Sequence, residues 1–162
     1  MNVLSLFKPI KHFIFDVDGV LTDGSLLVEG SGHLARTMHV RDGYAMNTAI
    51  AKGYEIIIIT GGKSKAVEKR LRGLGIEQIF IGIKDKVSVL SSLKNVDLEK
   101  SLYMGDDMPD YDVIQKVGLP TCPQDACNEI KDLSKYISPI NGGKGCVRDV
   151  IEKVLKLNND WL

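Results

Sequence analysis

The sequence predicts an α/β fold: a doubly wound, Rossmann-like parallel sheet with helices on both faces and a β-hairpin after the first strand. Three observations lead there. Short β-rich runs alternate with helical patterns along the chain, which implies strand–helix–strand units and a parallel sheet. Tyr54–Thr60 contains four consecutive isoleucines, as a central strand covered on both faces requires. Asp16 and Asp18, Thr60-Gly61-Gly62, and Asp106-Asp107 each close a β-rich run, at the edge where open α/β sheets bind ligands.

The elements follow in order. His12–Asp16 reads as a buried strand ending in charge. Ser25–Val28 and His33–Met38 read as a hairpin, about 25–38, turning across Glu29-Gly30-Ser31-Gly32. Asp42 is expected to cap a helix running to about Lys52. Ser64 is expected to cap the next, with Val67, Leu71 and Leu74 on its apolar side and Gly75 ending it. Gln78–Ile81 is a short strand and Asp85–Leu93 a helix. Ser101–Met104 is a strand stopped by Gly105-Asp106-Asp107, and Pro109–Val117 a helix with proline in its first turn. Leu119–Cys122 and Tyr136–Ser138 are brief strands around a helix from about Asp125, and Gly145–Leu157 is the last helix.

The chain's 162 residues suit one domain, 1–162, with no internal boundary or repeat. The 21 basic and 21 acidic side chains cancel, so nothing global points to nucleic acid or to a membrane surface. The apolar stretches are too short to span a bilayer, and Lys8, Pro9 and Lys11 interrupt any signal-peptide core. A cytoplasmic location is therefore expected. The three cysteines carry no C-x-x-C spacing and read as small buried or half-buried side chains.

Several carboxylates at one sheet edge repel one another unless a cation joins them. Hard oxygen donors suit Mg²⁺, and a carboxylate can attack phosphorus to form an aspartyl phosphate. Asp16 and Asp18, two residues apart, are expected on the same side by strand alternation, one to attack and one to handle the leaving-group proton. Thr60, the backbone near Gly61 and Lys86 can bind phosphate oxygens. Each piece alone has an ordinary structural reading: a turn, a loop, a solvated lysine. Their order, each at an expected strand end, is the signal.

That order resembles the haloacid dehalogenase superfamily. Its first motif is matched by Asp16-Val17-Asp18-Gly19-Val20-Leu21, its second by Ile56–Thr60, its third by Lys86, and its fourth by Gly105-Asp106-Asp107-Met108-Pro109-Asp110. The resemblance implies Asp16 as nucleophile and Asp18 as general acid and base. Asp16, Asp106 and the Asp18 carbonyl would ligate Mg²⁺, and Thr60, Gly61 and Lys86 would hold the phosphoryl group. Asp107 would support the metal's water shell, and Asp110 would orient Lys86 or the loop. Further matches at Thr22-Asp23-Gly24, Val40–Tyr44 and Gly142–Asp149 resemble the capless 3-deoxy-D-manno-octulosonate 8-phosphate phosphatase group.

That group implies a sugar acid phosphate from lipopolysaccharide sugar synthesis as substrate. It also implies a homotetramer in which hairpins pack together and a neighbour covers the site. The short gaps between motifs leave no room for a cap domain. Arg70 fits the group pattern and can reach a substrate carboxylate; a solvated helix residue is the other reading. Gly62 stands where the group often has Arg, and a sister activity on the nine-carbon 2-keto-3-deoxy-nononate 9-phosphate tends to have Glu. A phosphatase for that acid, or for a sialic acid 9-phosphate, is therefore one alternative. A non-catalytic tetramerisation module is another. The Gly142–Gly145 loop reads either as a segment that closes over a site, its own or a neighbour's, or as a plain turn.

Overall fold

The computed structural model describes residues 2–162. Its centre is a six-stranded sheet in the order β5-β4-β1-β6-β7-β8, with every adjacent pair parallel. The strands are β1 (His12–Phe15), β4 (Glu55–Ile59), β5 (Gln78–Phe80), β6 (Ser101–Met104), β7 (Leu119–Cys122) and β8 (Tyr136–Ile137). From β1 the chain winds outward through β4 to β5, then returns to lay β6 on the other side of β1. The winding reverses between β1 and β6, so the ligand crevice of such a sheet falls at their carboxyl ends. Asp16 follows β1 and Asp106 follows β6.

Alternation along the buried strands builds two cores. Phe13, Phe15, Ile56, Ile58, Leu102 and Met104 face one side. They meet apolar residues of α1 (Val40–Ala51), α2 (Lys65–Gly73) and α6 (Cys146–Leu157). Ile14, Ile57, Ile59 and Tyr103 face the other, against α3 (Lys86–Ser92), α4 (Tyr111–Ile114) and α5 (Asn128–Leu133). The isoleucine run is thus shared between two apolar layers, which is why no polar residue interrupts it.

Between β1 and α1 the chain makes a tight loop over Val17–Leu21 and then a two-stranded hairpin, β2 (Leu27–Val28) and β3 (Leu34–Ala35). No cap domain is inserted. The hairpin is shorter than the 25–38 read from sequence, because only two residue pairs are in register.

Three expectations need correction. α1 is capped by His39, whose Nδ1 accepts from Arg41 N at 3.2 Å. Asp42 lies inside the helix, buried, and its Oδ1 accepts instead from Arg148 N of α6 at 2.8 Å. It caps a helix distant in sequence rather than its own. The expected Pro109–Val117 helix is a tight turn over Met108–Asp110 followed by α4 alone. α5 begins at Asn128, not Asp125; the Asp125 carboxylate is engaged with Gly142 N at 2.9 Å.

Candidate active site

β1 ends at Phe15, so Asp16 and Asp18 sit beyond the strand and strand alternation does not place them. The loop Val17–Leu21 closes on a hydrogen bond from Thr22 N to Val17 O at 3.1 Å, with Gly19 at φ +87°. The two carboxylates part company there. Asp16 turns into the crevice and is buried. Asp18 faces outward, about a third exposed, toward the hairpin. Gly19 matters sterically as well: a Cβ there would lie 1.9 Å from Asp106 Oδ2. Only glycine lets Asp106 close on the loop.

Asp16, Asp106 and Asp110 offer carboxylate oxygens within 4.8 Å of one another. Lys86 Nζ lies among them, 3.0 Å from Asp16 Oδ2 and 2.7 Å from Asp110 Oδ1. Burial alone would lower the Lys86 ammonium, but Asp16 and Asp110 outweigh it and hold its pKa above the usual lysine value. Asp16 is pushed up to about 7 by burial and then by Asp110, against the pull of Lys86. Asp106 is pushed up to about 8 by burial, then by Asp16 and Asp110. Three carboxylates against one ammonium leave two negative charges when all are ionised. The residues therefore fit a hard divalent cation: they are oxygen donors, converging, and short of positive charge.

Asp110 is fully buried and organises the rest. Its Oδ1 accepts from Lys86 and from the Tyr103 hydroxyl at 2.6 Å. Its Oδ2 accepts from Asp106 N at 3.0 Å and Asp107 N at 3.5 Å. A Cβ at Gly105 would lie 2.4 Å from its carboxyl carbon, so the glycine before the acidic pair is required by this packing. Asp107 is exposed and caps the turn through Met108 N at 2.8 Å.

Thr60 is buried past β4. Its N–H donates to Phe80 O at 2.9 Å, its carbonyl accepts from Ile83 N at 3.0 Å, and its Oγ1 accepts from Gly62 N at 3.1 Å. These bonds fix the Thr60-Gly61-Gly62 turn beside Asp18: a Cβ at Gly62 would lie 3.1 Å from Asp18 Oδ2 and 3.4 Å from Thr60 Oγ1. Arg70 does not join this cluster. It lines a cleft under the hairpin with His33, Met38 and Ser64, and its Nη2 lies over Gly43 of α1. The Gly142–Gly145 loop docks on its own chain: Gly143 N donates to Val20 O at 2.9 Å, and a Cβ on Gly142 would strike Gly19 O.

Arg36 carries no motif and was not legible as a site residue. It follows β3 and grips Asp18 with two donors, Nε to Oδ1 at 2.6 Å and Nη2 to Oδ2 at 3.1 Å.

No protein-family model matches the chain. It is 36% identical over 157 residues to the 3-deoxy-D-manno-octulosonate 8-phosphate phosphatase KdsC of Escherichia coli K12, covering 95% of this chain and 84% of that one. The chain belongs to the 3-deoxy-D-manno-octulosonate 8-phosphate phosphatase family, a capless group of the haloacid dehalogenase superfamily. Its fold matches the Moraxella catarrhalis enzyme of this family, solved with magnesium, phosphate and KDO, with a TM-score of 0.93 at 33% identity, covering 98% and 93% of the two chains. The cobalt-bound Haemophilus influenzae enzyme matches with a TM-score of 0.91 at 29% identity, covering 96% and 89%. The protein is accordingly a phosphatase with a metal-binding acidic cluster. Among the described residues no helix is long and apolar enough to cross a membrane.

Proposed function

We propose that this phosphatase hydrolyses 3-deoxy-D-manno-octulosonate 8-phosphate, through an aspartyl phosphate on Asp16 and with Mg²⁺, in lipopolysaccharide sugar synthesis in the cytoplasm. The observation that carries the chemistry is the convergence of Asp16, Lys86, Asp106 and Asp110 from three separate stretches of chain onto one sheet edge. The names and the metal and ligand contents of the relatives support the substrate and the ion.

Asp16 attacks phosphorus, and the ester's P–O bond breaks as the bond to Asp16 forms. Asp18 gives its proton to the departing oxygen. Thr60, the backbone at Gly61 and Lys86 hold the phosphoryl oxygens, and the Lys86 ammonium offsets their charge. Water then attacks the aspartyl phosphate and yields its proton to Asp18, which returns Asp16. Asp110 keeps Lys86 in place and Asp107 holds the turn behind Asp106. Asp16, Asp106 and the Asp18 carbonyl would hold Mg²⁺, which neutralises the two anions that must meet. Arg70, in the cleft under the hairpin, is suited to the sugar's carboxylate.

We also propose a homotetramer. Leu27 and Val28 of the hairpin are 67% and 71% exposed and Val40, at the start of α1, is 75% exposed, apolar surface that a neighbouring copy would cover.

The test is phosphate release from a panel of sugar acid phosphates with Mg²⁺ and with chelator. The eight-carbon ester should give the highest kcat/KM, and chelator should stop all turnover. A higher kcat/KM for the nine-carbon or sialic acid ester would reassign the substrate. Turnover in excess chelator would remove the metal from the mechanism.

A further inference from the structure

The grip of Arg36 on Asp18 is lopsided. Nε sits 2.6 Å from Oδ1, while Nη2 is 3.1 Å from Oδ2. The guanidinium is fixed on its far side as well, with Nη1 donating to Leu34 O at 3.0 Å. The Arg36 side chain is 8% exposed and Asp18 35%, so the pair is closed on the arginine's side and open on the carboxylate's. The more loosely held Oδ2 is also the oxygen that faces Gly62 and Thr60, across the gap a Cβ at Gly62 would fill. Nothing in strand geometry points Asp18 this way, since β1 has already ended; the hairpin's arginine does.

We propose that Arg36 is a positioning residue: it anchors Asp18 by Oδ1 and leaves Oδ2 to carry the proton to the leaving oxygen. The inference rests on the acid/base reading of Asp18 given above. A guanidinium is held most strongly by two unprotonated oxygens; an oxygen that carries a proton is the weaker acceptor. A proton on Oδ2 therefore weakens the 3.1 Å contact and leaves the 2.6 Å contact in place. As the ester P–O bond breaks and the bond from phosphorus to Asp16 forms, the Oδ2 proton passes to the departing alkoxide oxygen. Asp18 is left a carboxylate, and Arg36 closes on both oxygens in the arrangement seen here. The proton released by the attacking water returns to Oδ2. The hairpin therefore reaches into the chemistry besides presenting apolar surface.

The experiment compares kcat/KM, which stops at phosphoryl transfer, for two esters in Mg²⁺. One is 3-deoxy-D-manno-octulosonate 8-phosphate, whose alkoxide needs a proton. The other is p-nitrophenyl phosphate, whose phenolate leaves without one. In Arg36→Met the alkyl ester should lose about 100-fold, the scale of general-acid catalysis. The aryl ester should lose less than about 3-fold, since its leaving group needs no proton. Arg36→Lys, which keeps the charge without the two-pronged hold, should fall between and serves if the Met variant does not fold. Equal losses on both esters would mean a structural role. A raised KM for the sugar ester with unchanged kcat would mean substrate binding. Wild-type rates in Arg36→Lys would mean the hold is unimportant; each of these overturns the proposal. Wild-type protein inactive on both esters would defeat the phosphatase reading instead.

Discussion

Asp16 and Asp106 crowd together with a single ammonium between them and Asp110. Removing the charge of Asp110 should loosen Lys86 and the backbone at Asp106 and Asp107 at once, because one carboxylate serves all three. Asp110→Asn should lower activity about 10- to 100-fold, as loss of an outer-shell partner does at metal sites, measurable as kcat at saturating Mg²⁺. The four residues that converge, Asp16, Lys86, Asp106 and Asp110, were legible as a group because each lies at or just past an expected strand end on one sheet edge. Where Asp18 points was not legible. Its direction depends on Gly19 and on a hairpin arginine eighteen positions away, and nothing local in the sequence encodes that contact.

Among the elements, the motif loop and the two ends of α1 and α6 carry the strain and the caps. Gly19→Ala would put a methyl group onto the Asp106 carboxylate at a backbone φ of +87°, a conformation L-residues rarely adopt. The variant should fold less stably and lose Mg²⁺ affinity together with activity, read by calorimetric titration. α6 has Gly145 at its N-cap with no side-chain bond, so Asp42 supplies the missing acceptor from α1. Asp42→Ala should cost about 1–2 kcal/mol, the range for a lost cap, checked by urea unfolding. The strands and most helices follow from periodicity and were read to within a few residues. The Asp42 role was misread because a helix cap is ordinarily local, while this one spans 106 positions. The fourth motif's helix was overestimated because Met108–Asp110 folds tightly around the Asp110 carboxylate instead of continuing an α-helix.

For the molecule as a whole, proton and metal occupancy are linked. Asp16, Asp106 and Asp42 have folded pKa values of about 7, 8 and 6, above the unfolded 3.8. The folded state thus holds extra protons between about pH 4 and 8, so this contribution to stability is full below that window and fades as pH rises through it. Mg²⁺ would bind to the deprotonated cluster. The rise in Tm that Mg²⁺ gives over chelator should therefore be larger at pH 8 than at pH 5.5, in thermal scans at constant ionic strength. The hairpin adds a second whole-molecule consequence: Leu27→Asp should shift the assembly toward monomer in sedimentation velocity. The central claim is narrower, that phosphoryl transfer runs through the Asp16 carboxylate. Its most direct test is phosphate release from 3-deoxy-D-manno-octulosonate 8-phosphate by wild type and Asp16→Asn, each folded by circular dichroism and saturated with Mg²⁺. Turnover by wild type with none detectable in Asp16→Asn is the expected result; comparable turnover by the two would contradict it.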